Sequence, residues 1–161
     1  MKKSNQKGFT LVELVVVIAI IGILAAILVP TMMNYVKKSR LKSANSNAKL
    51  IFTTSNNQAA DTVAEGEDPT AFTFGGTNGA APTAKSGTGF QDKVENAVYN
   101  ALKDNGDGVG VAKYAINAEG EVTLAQWATG TGAAIVGQYP NPEKDPDKAH
   151  TMGTGFNGKS F

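Results

Sequence analysis

The chain of 161 residues has no cysteine, one histidine and one tryptophan, and only 7% of it is aromatic. Without cysteine there is no disulfide and no thiolate, so any part that works outside a cell must hold together by packing alone. The lone histidine, His150, stands in a polar carboxy-terminal tail, and neither a nucleophile–base pair nor a His/Cys metal site can be assembled around it. Asp104-Asn105-Gly106-Asp107-Gly108 clusters oxygens of the kind calcium takes. However, Gly106 falls at the second ligand position and no acid lies at the twelfth, which favours a plain helix-to-strand turn. Trp127 lies in a strand pattern and reads as a core residue rather than a sugar-binding platform. Charge of one sign is scarce as well: 15 basic side chains face 14 acidic ones, a net of +1, which gives no argument for nucleic-acid binding. The expectation is a chain that catalyses nothing and uses no cofactor or metal.

What the chain does have is one long apolar run, GFTLVELVVVIAIIGILAAILVP at residues 8–30, entered through a leader carrying Lys2, Lys3 and Lys7. As a helix, residues 9–29 would measure about 31 Å, enough to cross the hydrocarbon core of a bilayer. Glu13 lies inside this run. A carboxylate near a bilayer centre costs roughly 2.5 to 3.5 kcal/mol, and somewhat less nearer the end, so Glu13 calls for a partner. A secretory signal also begins with a basic leader and an apolar stretch. This run is longer than such a stretch, holds an acid five residues in, and is followed by no A-x-A site. The charges do not set an orientation, because Lys37, Lys38, Arg40 and Lys42 flank the far side as heavily as the leader flanks the near one.

Lys7-Gly8-Phe9-Thr10-Leu11-Val12-Glu13-Leu14 resembles the processing motif of the type IV pilins and their relatives the pseudopilins. The resemblance is specific over residues 7–30 and only architectural beyond residue 60. It implies a cut by a prepilin peptidase after Gly8, an N-methylated amine on Phe9, and an amino terminus that starts in the cytoplasm. It also places Gly22 and Pro30 where the family's stalk has a glycine and a proline, between which the helix can loosen in the filament. Removing the leader takes three of the 15 basic side chains and no acid, leaving 12 against 14, a net of −2. Many pilins close a carboxy-terminal loop with a disulfide, and this chain departs from that subgroup. In a bundle of such helices, the ammonium of one subunit's Phe9 can sit against the carboxylate of the next subunit's Glu13. Both charges are then neutralised and the axial register is set. Removing one partner would leave an uncompensated buried charge, at a cost of about 3 to 5 kcal/mol.

Beyond Pro30 the helical pattern continues in polar form through Met33, Val36, Leu41, Ala44, Ala48, Ile51 and Phe52. The expected helix runs over residues 9–58, some 75 Å, with a bend at Pro30. The basic residues at 37–42 are read either as contacts to anionic headgroups and acidic faces of neighbouring subunits or as a solvated face. Residues 61–89 read as loop, with a short strand at 71–74. Phe90, Val94, Ala97, Val98, Ala101 and Leu102 make one apolar helical face, with Thr88 and Gln91 as a capping box and Asn105-Gly106 as its stop. Strands follow at 109–117, 121–129 and 133–139 before Pro140, Pro142 and Pro146 end regular structure and a Gly-rich tail begins. The fold class is α+β: a long amino-terminal helix, a second helix, and an antiparallel sheet of three to four strands packed on the first helix's polar half. The expected core is Phe72, Phe90, Val94, Val98, Leu102, Tyr114, Ile116, Leu124, Trp127 and Ile135, supplemented by Ile51 and Phe52.

Three segments follow: a leader at 1–8 that is removed, a membrane-spanning and assembly stalk at 9–30, and a head at 31–161. The resemblance implies the major structural subunit of a type IV pilus, a single-pass membrane precursor that becomes a helical, extracellular homopolymer. Its partners would be copies of itself, the prepilin peptidase, the pilus assembly machinery and, before assembly, membrane lipid. A pseudopilin of type II secretion or DNA uptake is the alternative on the same stalk. A membrane-anchored binding domain that never polymerises is the alternative from another class.

Overall fold

The structure is a computed structural model, and it describes residues 8–72, 81–148 and 150–152. By its internal contacts the chain divides into two units, residues 1–37 and 38–161. A single helix, α1 (Leu11–Ala64), contributes to both and continues six residues past the expected end. Pro30 lies inside this helix and does not end it. Next to it, the Thr31 hydroxyl donates to the carbonyls of Ile27 (3.3 Å) and Leu28 (2.8 Å). In the first unit every described side chain is exposed.

In the second unit α1 turns a narrow face inward: Leu41, Ala44, Ala48, Ile51, Ser55, Ala59 and Thr62, spaced by three and four. Five of these seven are small residues, which lets the sheet approach the helix backbone closely. The two buried hydroxyls bond backward along the helix, Ser55 to the Ile51 carbonyl (2.6 Å) and Thr62 to that of Gln58 (2.7 Å). They therefore enter the core without unmet hydrogen bonds.

Helix α2 (Phe90–Lys103) buries Phe90, Val94, Val98 and Leu102, the expected face. The expected capping box is not made. Gly89 is the N-cap and provides no side-chain bond, so Gln91 stands one position too early to reach back. The Gln91 amide donates instead to Glu95 (2.9 Å).

Strands β1 (Val111–Ile116), β2 (Val122–Ala128) and β3 (Gly137–Tyr139) form one antiparallel sheet in that order. The inward face carries Ala112, Tyr114, Ala125 and Trp127, which join the buried residues of α1 and α2 in one core. Phe72, Ile116, Ile135 and Phe52 pack on its edge. The Trp127 indole N–H donates to the Val109 carbonyl at 3.0 Å, which confirms it as a core residue.

Two strand expectations need correction. The third strand is only three residues long, because Ala133 is drawn into a turn by its bond to the Gly130 carbonyl (3.2 Å). The short strand expected at 71–74 is not there at its start. Pro69–Ala71 is a 3-10 turn, with Asp68 accepting from the Thr70 amide (2.8 Å) and Pro69 in the first turn, the chemistry of a helix start. Thr73 and Phe74 lie outside the described residues.

The sheet's other face is covered too, by part of what reads in sequence as a loose tail. Val111, Ala128 and Val136 pack with Met152, and the buried Gln126 amide donates to Gln138 Oε1 (2.9 Å) and the Thr151 carbonyl (3.4 Å). Both sides of the sheet are thus closed within the second unit. A fragment beginning at Thr31 is expected to fold as a soluble monomer. Size-exclusion chromatography with circular dichroism checks this, and an aggregated or unfolded product would contradict the core assignment.

Candidate assembly segment

The described residues of the first unit are an apolar helical stretch whose side chains are all exposed. Phe9 is 92% exposed, and Leu11, Val12, Ile18, Ile20, Ile23 and Ile27 are all more than half exposed. The segment is long and apolar enough to cross a membrane. A helix that is hydrophobic all round belongs inside lipid or a bundle, since water gives it no stable place.

Gly8, Phe9 and Thr10 precede the first helical residue, Leu11, and are exposed. Glu13 is three residues inside. Its Oε2 accepts from the Thr10 amide (2.9 Å) and hydroxyl (2.8 Å), while its own amide donates to the Thr10 hydroxyl (3.3 Å). This is a reciprocal capping box, with Thr10 as N-cap and Glu13 at the third helical position. The signal T-x-x-E is present in sequence at residues 10–13 but is masked there by the stronger question of a charge in an apolar run. Among the described residues, Glu13 Oε1 receives no hydrogen bond. One oxygen therefore holds the helix start, while the other makes no bond among the described residues.

Gly22 lies in the helix interior, where glycine costs about 1 kcal/mol relative to alanine. Beyond its chain neighbours and the helix's own backbone, no atom of the described residues lies within 4 Å of where its Cβ would be. Nothing in the described chain therefore requires glycine there. Gly22 and Pro30 both sit in unbroken helix, and the structure brings neither to Glu13.

The basic residues Lys37, Lys38, Arg40 and Lys42 are exposed along α1. The Asp104 to Gly108 segment is the turn after α2, and its polar groups are engaged with α1. Asp107 accepts from the Ser43 hydroxyl and from the Asn47 amide (3.0 Å), and the Asn105 amide donates to Asn47 Oδ1 (2.7 Å). The Ser43 and Asn47 bonds hold the Asp107 carboxyl below its ordinary pKa. A depressed folded-state pKa contributes stability above the unfolded-state value, and that contribution is lost as pH falls through the folded-state value. Asp107→Asn is therefore expected to cost about 1 kcal/mol or less at neutral pH, given its exposure, and to flatten the acid limb of the head's stability curve. Thermal melts from pH 7 down to pH 3 check this, and an unchanged acid limb would contradict it.

Residues 3–29 match the family model described as the prokaryotic N-terminal methylation motif. Among curated proteins, the type IV major fimbrial protein FimA of Dichelobacter nodosus is 62% identical over 39 residues, covering 24% of this chain and 25% of that protein. A fimbrial protein of Moraxella nonliquefaciens is 44% identical over 70 residues, 42% of this chain and 46% of its own length. The type IV major pilin PilA of Myxococcus xanthus is 45% identical over 49 residues, 30% of this chain and 22% of its length. The chain thus spans about a quarter of the length of the first of these relatives. No solved structure matches. The amino-terminal segment thus carries the methylation motif and is similar to the same segment of type IV pilins and fimbrial proteins, and its helix is long and apolar enough to span a membrane.

Proposed function

We propose that the chain is the major structural subunit of a type IV pilus. The observation that carries this reading is the exposed apolar helix that begins at Leu11 and holds Glu13 with one carboxylate oxygen open, directly behind a methylation motif. In this reading residues 1–8 are a leader removed by a prepilin peptidase, residues 9–30 anchor the precursor and later assemble, and residues 31–161 are the head. The precursor sits in the membrane through a single span, in contact with lipid, until the assembly machinery passes it into an extracellular filament.

Assembly then has a physical cause. Methylated Phe9 carries an ammonium that must leave water together with the apolar run, and the open oxygen of a neighbour's Glu13 is the acceptor that neutralises it. Gly22 and Pro30 serve the packed helix rather than the single one: a missing side chain lets a neighbour approach, and a missing amide lets the turn loosen. The relatives named above are fimbrial proteins and pilins, which supports a structural role and gives no support to a pseudopilin, to a lone anchored domain or to an enzyme.

Processing offers the direct check. Intact-mass measurement of the surface protein is expected to give a chain beginning at N-methylated Phe9. Gly8→Leu should leave the full leader in place, with the protein retained in the membrane. Surface protein that keeps residues 1–8, or that starts after Ala26 as a secretory signal would dictate, contradicts the reading.

A further inference from the structure

Two exposed features of the second unit are opposite in charge and lie apart from each other. The first is a groove of about 500 Å³ beside α1, lined by Lys38, Lys42, Lys49 and Lys144 over Leu41 and Tyr139. Among the described residues these four ammonium groups make no ion pair. Glu143 also lines the groove, but its carboxylate is held by the amides of Lys144 (2.7 Å) and Asp145 (3.1 Å). Four lysines against this one carboxylate leave the groove with an excess of positive charge.

The second feature is the tip of the β1–β2 hairpin, residues 117–121, which presents the exposed carboxylates of Glu119 and Glu121. The tip is held rigidly. Asn117 exchanges bonds with Glu121 through both backbone and side chain, and Gly120 adopts φ +84° with Val63 against its Cα. The next residue ties it to α1, where the Val122 amide donates to Asn56 (3.3 Å).

Both features lie over one stripe of α1. Lys38, Lys42, Asn45 and Lys49 line the groove, and Asn56, Ala60 and Val63 lie beneath the tip, all related by steps of three, four or seven residues. Their midpoints are about 16 residues apart, or roughly 24 Å along the helix. A tip so placed cannot enter its own groove.

We propose that the acidic hairpin tip of one copy docks in the lysine groove of a second copy displaced along the helix direction. This rests on the reading of the chain as a filament subunit and names the head contact that such a filament uses. The contact is heterologous, because tip and groove are different surfaces, and the displacement along the helix direction carries each added copy onward rather than closing a ring, so one tip and one groove stay open at the ends. Charge complementarity supplies orientation and register between heads, while the apolar helices supply most of the cohesion.

The absence of cysteine makes the test clean. The full chain carrying both Glu119→Cys and Lys42→Cys is expressed as the only pilin, and sheared filaments are oxidised and run without reductant. Docking brings the two thiols of different copies within disulfide reach, and the 24 Å separation prevents closure within one copy. A ladder of dimers, trimers and higher species is expected. Monomers only, from filaments that do form, overturn the contact, and dimers with nothing larger overturn its open-ended character.

Charge exchange is the second arm. Glu119→Lys and Lys42→Glu are each expected to lower sheared filament about tenfold, with recovery in the double variant. Loss in Lys42→Glu that Glu119→Lys does not restore, accompanied by reduced membrane retention, would assign the groove to anionic lipid and overturn the proposal. Failure of the unaltered chain to form filaments is a separate outcome and rejects the filament reading itself.

Discussion

Glu13→Val is expected to abolish filaments while cleavage after Gly8, membrane retention and head folding continue. In the single chain this substitution has a small cost. The Thr10 amide and hydroxyl lose the carboxylate they donate to, the amide of residue 13 keeps its bond to the Thr10 hydroxyl, and the apolar run gains a better match to lipid. In the filament the cost is of another order. An ammonium left in an apolar bundle without its carboxylate costs about 3 to 5 kcal/mol at each joint, at least a hundredfold in each subunit addition.

Two further substitutions separate charge from cap. Glu13→Gln keeps a side chain that can reach the Thr10 amide but carries no charge, and filaments should still be lost. Thr10→Ala removes the cap and keeps the charge, and filaments should persist at reduced yield. The count is made by electron microscopy in a strain without wild-type subunit. Normal filament number in Glu13→Gln would show that the carboxylate's charge does not organise assembly.

Gly137→Val is expected to destabilise the head severely. β3 lies so close to α1 that a Cβ on Gly137 would fall on the backbone of Ala44 and the amide of Asn45. These backbones cannot separate cheaply. Asn45 joins both sides of the contact, with its Oδ1 accepting from the Gln138 amide (3.0 Å) and its Nδ2 donating to the Glu143 carbonyl (2.8 Å). Overpacking alone costs about 1 to 3 kcal/mol, and displacing β3 also breaks the Asn45 bonds and uncovers the buried Gln126–Gln138 pair. A loss of about 4 kcal/mol, or roughly 10 °C or more in Tm, is the expected result for valine, with alanine intermediate. Gly130→Ala is the control, since no atom lies within 4 Å of its added Cβ. Equal melting temperatures for Gly137→Val and Gly130→Ala would contradict this packing.

The processing motif and Glu13 were legible because each departs locally from an otherwise apolar, helical pattern. α2 was legible for a similar reason: four apolar residues at strict spacing of four make one buried face whatever surrounds them. What the sequence hid depends on contacts distant in the chain. Asn45, Asn47 and Ser43 carry no mark of tertiary contact in the sequence, yet their partners are Gln138, Glu143, Asn105 and Asp107, some 58 to 98 residues away. Gly137 reads as an ordinary strand residue, and its role as a close-approach residue was hidden because only tertiary packing brings the Ala44 backbone to it. The tail's cover over Val111 and Ala128 was equally invisible, since Thr151 and Met152 have no periodicity to mark them as core. The capping boxes show the local version of this problem. Thr88-x-x-Gln91 and Thr10-x-x-Glu13 carry the same signal, and the competing N-cap at Gly89 decides between them.

Polymerisation of this chain is what the open Glu13 oxygen, the exposed apolar helix and the head contact are all proposed to serve. The most direct measurement is electron microscopy of material sheared from cells in which this chain is the only pilin, with intact mass taken on the same fraction. The account predicts thin filaments whose bulk protein is this chain, starting at N-methylated Phe9. Processed chain held entirely in the membrane, with no filament in the sheared fraction, would contradict it.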